Sequence, residues 1–251
     1  AVASSVSEAV SLLFFIIYTS MTADKRKYGF RRAFTLRPHL LKGMLSISGW
    51  TMVQSFISVS IWFIFFLAIE HLGERPLAVT NIVRNISALL IMVISAFATT
   101  AGALISNQIG AGEQRCLFKT CGMTLKLTYA ILIPLLIILC LFPESVLRAF
   151  TDSPSLIAAS VNSVYVMASS TLIMAPSFIL FNAVSGTGNT RAGFIMEMIS
   201  LAVYTAVIYY GIIRLKPDVA LCWFSEHVYG VTLIFLAWWY LKSGKWRGKK
   251  V

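Results

Sequence analysis

Residues 43–70 read GMLSISGWTMVQSFISVSIWFIFFLAIE, and this stretch decides the fold class. Its only charged side chain is Glu70, at the very end. A helix needs about 20 mostly apolar residues to cross the hydrocarbon core of a bilayer, so the stretch can span a membrane with some tilt. It lacks the alternation of apolar and polar residues that marks a membrane barrel strand. We therefore predict a membrane-spanning α-helix here.

Six further apolar segments of similar length flank this one. The predicted spans cover about 1–20, 43–70, 77–106, 119–142, 155–185, 190–213 and 219–241. The 251 residues are 58% hydrophobic and 12% charged, whereas a soluble domain is about 25% charged. So few charges exclude a soluble enzyme, a disordered chain and a secreted disulfide scaffold. The sequence predicts an all-α integral membrane protein, a polytopic helical bundle.

Basic residues orient this bundle. Of the 21 Lys and Arg, seven lie in the connector 21–42, five follow residue 241, three lie in 107–126, and one is Arg191. These regions share one side of the predicted bundle, and the opposite side holds four. The basic side is expected to face the cytoplasm. The net charge of +11 is therefore assigned to the membrane surface, and no nucleic-acid partner is expected.

Polar side chains inside the spans are the candidate functional residues, because polar groups in hydrocarbon usually face a bundle interior or a cavity. On the second segment, Thr51 belongs to a helical stripe of Ser and Thr, with Gln54 beside it. These residues fit either helix packing or ligand contact. The remaining polar candidates for the cavity wall are Arg84, Asn85, Asn182 and Glu197. Met174 is an apolar candidate, because a methionine side chain adapts to varied ligands.

Two of these candidates leave sharper alternatives open. Arg84 either extends to the outer interface or pairs inside the bundle with a carboxylate or an anionic ligand. Glu197 either pairs with Arg191 or extends to the membrane interface, or else it forms a proton or cation site. Pro176, in the middle of its span, is either a transport hinge or an ordinary membrane-helix proline. Glu226 is expected at the outer interface.

Cysteine and histidine give no sign of catalysis or of a structural metal. The four cysteines form no CxxC pair, and His39, His71 and His227 fall in the connector or near the outer end. Convergent catalytic groups at one depth are missing from the pattern. We expect no enzyme activity, no catalytic residue, no cofactor and no metal site.

Two glycine turns carry a resemblance to a known family. Residues 73–112 end in Gly110-Ala111-Gly112, and residues 176–193 contain Gly186, Gly188, Thr190 and Arg191. With the basic connector and the helix count, these turns resemble the MATE family, the multidrug and toxic compound extrusion transporters. The resemblance covers essentially the whole chain, whose first segment matches the family's sixth helix and whose other segments match helices seven to twelve.

The resemblance implies a domain plan. Residues 1–20 would end the last helix of an N-terminal lobe, 21–42 would be a basic cytoplasmic interlobe linker, 43–242 a C-terminal six-helix lobe, and 243–251 a basic cytoplasmic tail. The chain would be a piece of a longer protein, one lobe of a twelve-helix MATE-type transporter plus one preceding helix. Its partners would be the missing N-terminal lobe and the lipid bilayer of a bacterial cytoplasmic (inner) membrane.

The resemblance also implies an activity. The protein would be an antiporter coupled to Na⁺ or H⁺ that exports organic, often cationic, compounds by alternating access. Some members carry carboxylates in the seventh and tenth helices. Here Val53 or Gln54 falls near the first position, and Met174 to Pro176 near the second. Their cation site in this lobe is therefore not carried over.

Two other functions compete with this one. The wider superfamily includes flippases of lipid-linked oligosaccharide or peptidoglycan precursors, whose cavity should be strongly basic to hold a pyrophosphate. Arg84 is the single deep basic candidate, which favours export of neutral or cationic compounds. A membrane-embedded enzyme lacks candidate catalytic groups.

Overall fold

The chain forms an α-helical bundle in a computed structural model that describes residues 2–22, 38–244 and 246. No strand occurs among these residues. The longer helices are α1 (Val2–Thr22), α2 (Pro38–Glu70), α3 (Glu74–Gly110), α4 (Leu117–Leu141), α6 (Pro154–Gly186), α7 (Thr190–Val207) and α9 (Phe224–Ser243). Short helices are α5 (Pro143–Leu147) and α8 (Val219–Cys222). The described residues contain seven segments long and apolar enough to cross a membrane, which confirms the predicted fold class.

The chain divides into two units, Ala1–Ser46 and Ile47–Val251. The first unit contains α1 and the start of α2. The second contains the rest of α2 and all later helices, and every packing contact described below lies within it. In this second unit, buried apolar side chains from α2 through α9 form three clusters.

Several helix boundaries differ from the sequence prediction. α2 begins at Pro38, inside the predicted connector 21–42, because proline suits the first position of a helix. Residues 23–37 of that connector lie outside the described residues. In the predicted tail, α9 extends to Ser243, and the buried Trp246 donates its indole N–H to the Leu241 carbonyl.

Two predicted spans are less regular than expected. The span 190–213 is α-helical only to Val207 and continues as a π-helix over Ile208–Arg214, where the turns are wider. The span 219–241 is interrupted at Trp223, between α8 and α9. Trp223 is 1% exposed, so this interruption places a large aromatic side chain in the core.

α6 lies at the centre of the second unit and contacts α3, α4, α7 and α9. Pro176 lies inside it, and the helix continues through this residue. A proline has no N–H, so the carbonyl four residues earlier loses its helical partner. That carbonyl belongs to Leu172, and the Tyr129 hydroxyl of α4 donates to it over 2.7 Å. A neighbouring helix thus supplies the hydrogen bond that this carbonyl loses to the proline. The hinge role of Pro176 stays a prediction.

α3 and α6 approach each other most closely at two glycines. A Cβ added to Gly186 would lie 2.5 Å from the Gly102 carbonyl oxygen, and one added to Gly102 would lie 2.9 Å from the Asn182 carbonyl oxygen. Small residues allow helix backbones to approach in membranes, where van der Waals packing drives association. Glycine at these two positions therefore sets the α3–α6 separation.

Replacing Gly186 by alanine should destabilise the bundle. The new methyl group would overlap the α3 backbone, which cannot rotate away as a flexible side chain could. We expect the free energy of unfolding to fall by about 1–3 kcal/mol, measured by thermal or denaturant unfolding in detergent.

Gly122→Ala is the matched control, since a Cβ at Gly122 meets no atom within 4 Å. Alanine is also the better helix former, by about 1 kcal/mol. Equal stability of the two variants would contradict the close α3–α6 approach.

Candidate functional site

Glu197 is a buried carboxylate in the second unit, only 4% exposed, on α7. Its Oε1 accepts hydrogen bonds from the Ser58 hydroxyl of α2 and the Tyr229 hydroxyl of α9, both over 2.9 Å. Its Oε2 is also buried and accepts no hydrogen bond from the described residues. A buried polar atom without a partner is costly, so this oxygen is a candidate ligand-binding atom.

Glu226 is a second buried carboxylate, 6% exposed, in the first turn of α9. Its Oε1 accepts a hydrogen bond from the Tyr204 hydroxyl of α7 over 2.7 Å. The side chain therefore faces the bundle interior, and its expected depth near the outer interface stays a prediction. The first turn of α9 follows the buried Trp223, and this packing places Glu226 inside the bundle.

The two carboxylates are linked through their tyrosines. The rings of Tyr204 and Tyr229 pack edge to face, with their centroids 5.8 Å apart. Tyr229 donates to Glu197, and Tyr204 donates to Glu226. Each carboxylate thus accepts a hydrogen bond from a tyrosine whose ring packs against the other tyrosine.

Both carboxylates line one cavity of about 220 Å³, hereafter the acidic cavity. Its oxygen-bearing lining residues are Ser58, Glu197, Tyr204, Glu226 and Tyr229, and its apolar lining residues are Trp62, Ile91, Met174, Phe178 and Leu201. The lining contains no Lys or Arg. Two carboxylates therefore share a cavity whose lining, within the described part of the chain, supplies no cation.

A larger cleft of about 510 Å³, hereafter the Arg84 cleft, adjoins this cavity. Trp62, Ile91 and Phe178 line both spaces and so form a shared wall. Its other lining residues are Arg84, Asn85, Ser87, Ala88 and Met92. The Arg84 guanidinium lies over the Phe66 ring, 5.2 Å from its centroid.

Side chains of α2 make aromatic and polar contacts with α7 at several positions along its length. Near the start of α7, the Trp50 ring lies 5.2 Å from that of Phe194, and Arg191 lies over Trp50 at 5.9 Å. Arg191 and Glu197 form no ion pair in the described part of the chain, so this pairing is excluded there. Farther along, the rings of Phe65 and Tyr204 are 6.4 Å apart. The Ser58–Glu197 hydrogen bond lies between these aromatic contacts.

The structure brings only some of the predicted site residues together. Met174 and Glu197 line the acidic cavity, and Arg84 and Asn85 line the neighbouring cleft. Thr51 is exposed and Gln54 half-buried, and both lie outside these two linings. Asn182 donates its side-chain N–H to the Phe178 carbonyl and lies at the α3–α6 crossing.

Sequence reasoning missed the tyrosines and the inward position of Glu226. A spacing signal was present, because Tyr204 follows Glu197 by seven residues and Tyr229 follows Glu226 by three. Both spacings place the tyrosine on the same helix face as the carboxylate. The pairing between helices, however, crosses over, since Tyr229 binds Glu197 and Tyr204 binds Glu226. That exchange becomes visible only when α7 and α9 are packed.

Comparisons with known proteins give a consistent result. The family model of MatE matches residues 51–210. No curated protein matches the chain. A variant of the Vibrio cholerae MATE transporter VcmN is 15% identical, with a TM-score of 0.75 over 84% of this chain and 48% of that one. An outward-facing multidrug resistance MATE family transporter of the MOP superfamily is 14% identical, with a TM-score of 0.72 over 81% and 46%.

A third solved structure is similar as well. It is a MOP superfamily transporter from Pyrococcus furiosus, described as having a binding pocket of reverse polarity. It is 14% identical, with a TM-score of 0.70 over 79% of this chain and 44% of that one. This chain thus spans about half the length of the transporters that it matches. At these identities the structures establish the fold, and the family model establishes membership: the chain is a multi-pass membrane protein of the MATE transporter family.

Proposed function

We propose that this chain is the C-terminal lobe of a cation-coupled antiporter, which exports organic cations by alternating access together with an N-terminal lobe. The observation that carries the proposal is the pair of adjoining spaces, one open and mostly apolar and the other acidic. An antiporter needs places for two different cargoes. A shared wall between their sites lets the occupancy of one affect the other.

The sizes of the two spaces support this division. Small-molecule pockets are roughly 300–1,000 Å³. The Arg84 cleft, at about 510 Å³, falls in this range and has Trp62 and Phe178 on its wall for an aromatic compound. The acidic cavity, at about 220 Å³, is smaller than such a pocket. The larger space is suited to the organic compound and the smaller to the coupling ion, Na⁺ or H⁺.

Charge favours this exporter over a flippase of pyrophosphate-linked lipids. A pyrophosphate group calls for several Arg or Lys donors. The two linings together contain one basic residue, Arg84, against Glu197 and Glu226. The aromatic faces at the shared wall also attract organic cations.

The proposal assigns the chain to the bacterial cytoplasmic membrane. Along α2, Met52, Phe56 and Val59 are 67%, 74% and 70% exposed. Side chains of this kind require cover by lipid or by another helix bundle. This chain spans about half the length of the solved transporters. We therefore expect an N-terminal lobe to be the second bundle that covers these side chains.

Transport by the two-lobe protein tests the proposal. The chain, joined to its N-terminal lobe, is reconstituted into liposomes, and ethidium movement is followed by fluorescence under an imposed Na⁺ gradient and, separately, a pH gradient. We expect ethidium to accumulate against its concentration gradient under one of them. An ionophore that collapses the gradient should abolish the accumulation. Folded protein that moves no ethidium under either gradient would overturn the proposal.

Replacing Arg84 by alanine tests the cationic substrate class. If an organic cation occupies the Arg84 cleft, the guanidinium repels it. Removing a charge at close range should then tighten ethidium binding by about 1 kcal/mol, roughly fivefold in Kd, measured by fluorescence titration.

Arg75→Ala is the matched control, because the exposed Arg75 bonds to the Ser155 carbonyl away from the cleft. Weaker ethidium binding by Arg84→Ala alone would contradict the cation assignment. That result would direct the next test to a lipid pyrophosphate.

A further inference from the structure

We infer that the acidic cavity is the coupling-ion site of this lobe, that the ion is a proton, and that Glu197 binds it. This inference rests on the proposed antiport function and identifies its ion and residues. The family resemblance gave carboxylates in the seventh and tenth helices, at positions where this chain has Val53 or Gln54 and Met174 to Pro176. Here the buried carboxylates lie on α7 and α9 instead.

The two oxygens of the Glu197 carboxylate differ in their hydrogen bonds. Oε1 accepts two, whereas Oε2 is buried and accepts none from the described residues. An ionised carboxylate held in apolar surroundings is very unfavourable without a compensating charge. The side chain is thus complete only when a cation binds at Oε2.

Among the residues that the structure describes, none supplies such a cation at the cavity wall. The titratable groups that line the cavity with Glu197 are Tyr204 from α7, with Tyr229 and Glu226 from α9. Ser58 contributes a neutral hydroxyl from α2, and the residues from α3 and α6 are apolar. Arg84 lines the neighbouring cleft and lies over Phe66. The compensating charge therefore has to come from solution.

The number of oxygen ligands on the cavity wall favours a proton over a metal cation. A metal cation is held by several oxygen ligands at once, six or more for hard ions such as Ca²⁺ and Mg²⁺, and Na⁺ also binds several, while a proton needs only one. Five lining residues carry side-chain oxygen, and three of these are hydroxyls that already donate to the carboxylates. Oε2 of Glu197 is a buried oxygen that accepts no hydrogen bond from the described residues. This donor set suits the formation of one O–H bond.

Glu226 is a positioning residue in this scheme. It accepts from Tyr204, whose ring packs against Tyr229, and Tyr229 donates to Glu197. Tyr204 lies seven residues after Glu197 on α7, a rise of about 10 Å. Glu226 therefore acts on Glu197 through the tyrosine pair and holds the Tyr229 hydroxyl in place.

Proton binding also changes the strength of the hydrogen bond between α2 and α7. A proton from water forms an O–H bond at Oε2 and converts the carboxylate to a neutral acid, and its release restores the charge. Hydrogen bonds to an ionised acceptor are about twice as strong as those between neutral groups. Protonation of Glu197 therefore weakens its hydrogen bond with Ser58. This bond joins α2 to α7 at a point between the aromatic contacts of Trp50 and Phe65. The proton thereby loosens α2, which also contributes Trp62 to the cleft wall.

The test measures ethidium transport by the two-lobe protein in liposomes under an imposed pH gradient. We expect Glu197→Gln to reduce transport to the level of protein-free liposomes, because glutamine cannot bind and release a proton. Glu197→Asp keeps a carboxylate and should restore part of the rate. Glu226→Gln should shift the pH profile of transport without abolishing it. Glu70→Gln, at an exposed glutamate, should transport as the wild type does.

The outcomes separate the inference from the function on which it rests. Wild-type protein that transports with a Na⁺ gradient but not a pH gradient would overturn the proton and leave the antiporter standing. A Glu197→Gln variant with wild-type pH-driven transport would overturn the site, again without touching the antiporter. Wild-type protein inactive under both gradients would overturn the proposed function itself. Thermal unfolding in detergent shows that each variant is folded, and Glu197→Asp supplies the answer if Glu197→Gln unfolds.

Discussion

An ionisable carboxylate inside an apolar helix bundle imposes the constraint that organises this lobe. Glu197 can remain there only with hydrogen-bond donors and a source of positive charge. Three helices meet this demand in part, since α7 carries the carboxylate while α2 and α9 bring the Ser58 and Tyr229 hydroxyls. The positions of these helices around the acidic cavity follow from that arrangement.

The other helices of the bundle are held together by contacts that do not involve a charge. α3 and α6 are fixed by glycines that let their backbones approach closely, and Tyr129 of α4 secures α6 at the carbonyl freed by Pro176. These contacts are backbone-centred and independent of charge. In contrast, the Ser58 contact of α2 involves a carboxylate and so responds to its ionisation. A rigid frame beside a charge-sensitive helix is the physical basis that we propose for coupling.

The sequence predicted the fold class and span count because a spanning segment is recognisable from its own apolar length. Glu197 and Arg84 also stood out, since charged residues are rare in such segments. The crossed pairing of Tyr229 with Glu197 and Tyr204 with Glu226 was beyond reach, because it depends on how α7 packs on α9. The interruption at Trp223 was missed for a related reason. Nothing in the local hydropathy marks it, and the first turn after it carries the buried Glu226.

We propose that Glu197 gains and loses a proton inside the bundle, and infrared difference spectroscopy observes this change at the carboxyl group itself. Spectra of the two-lobe protein are recorded in acidic and alkaline solution, for the wild type and for Glu197→Gln. We predict a carboxylic-acid carbonyl band in the wild type at low pH that disappears at high pH and is missing from the variant. A variant whose difference spectrum matches that of the wild type would contradict it.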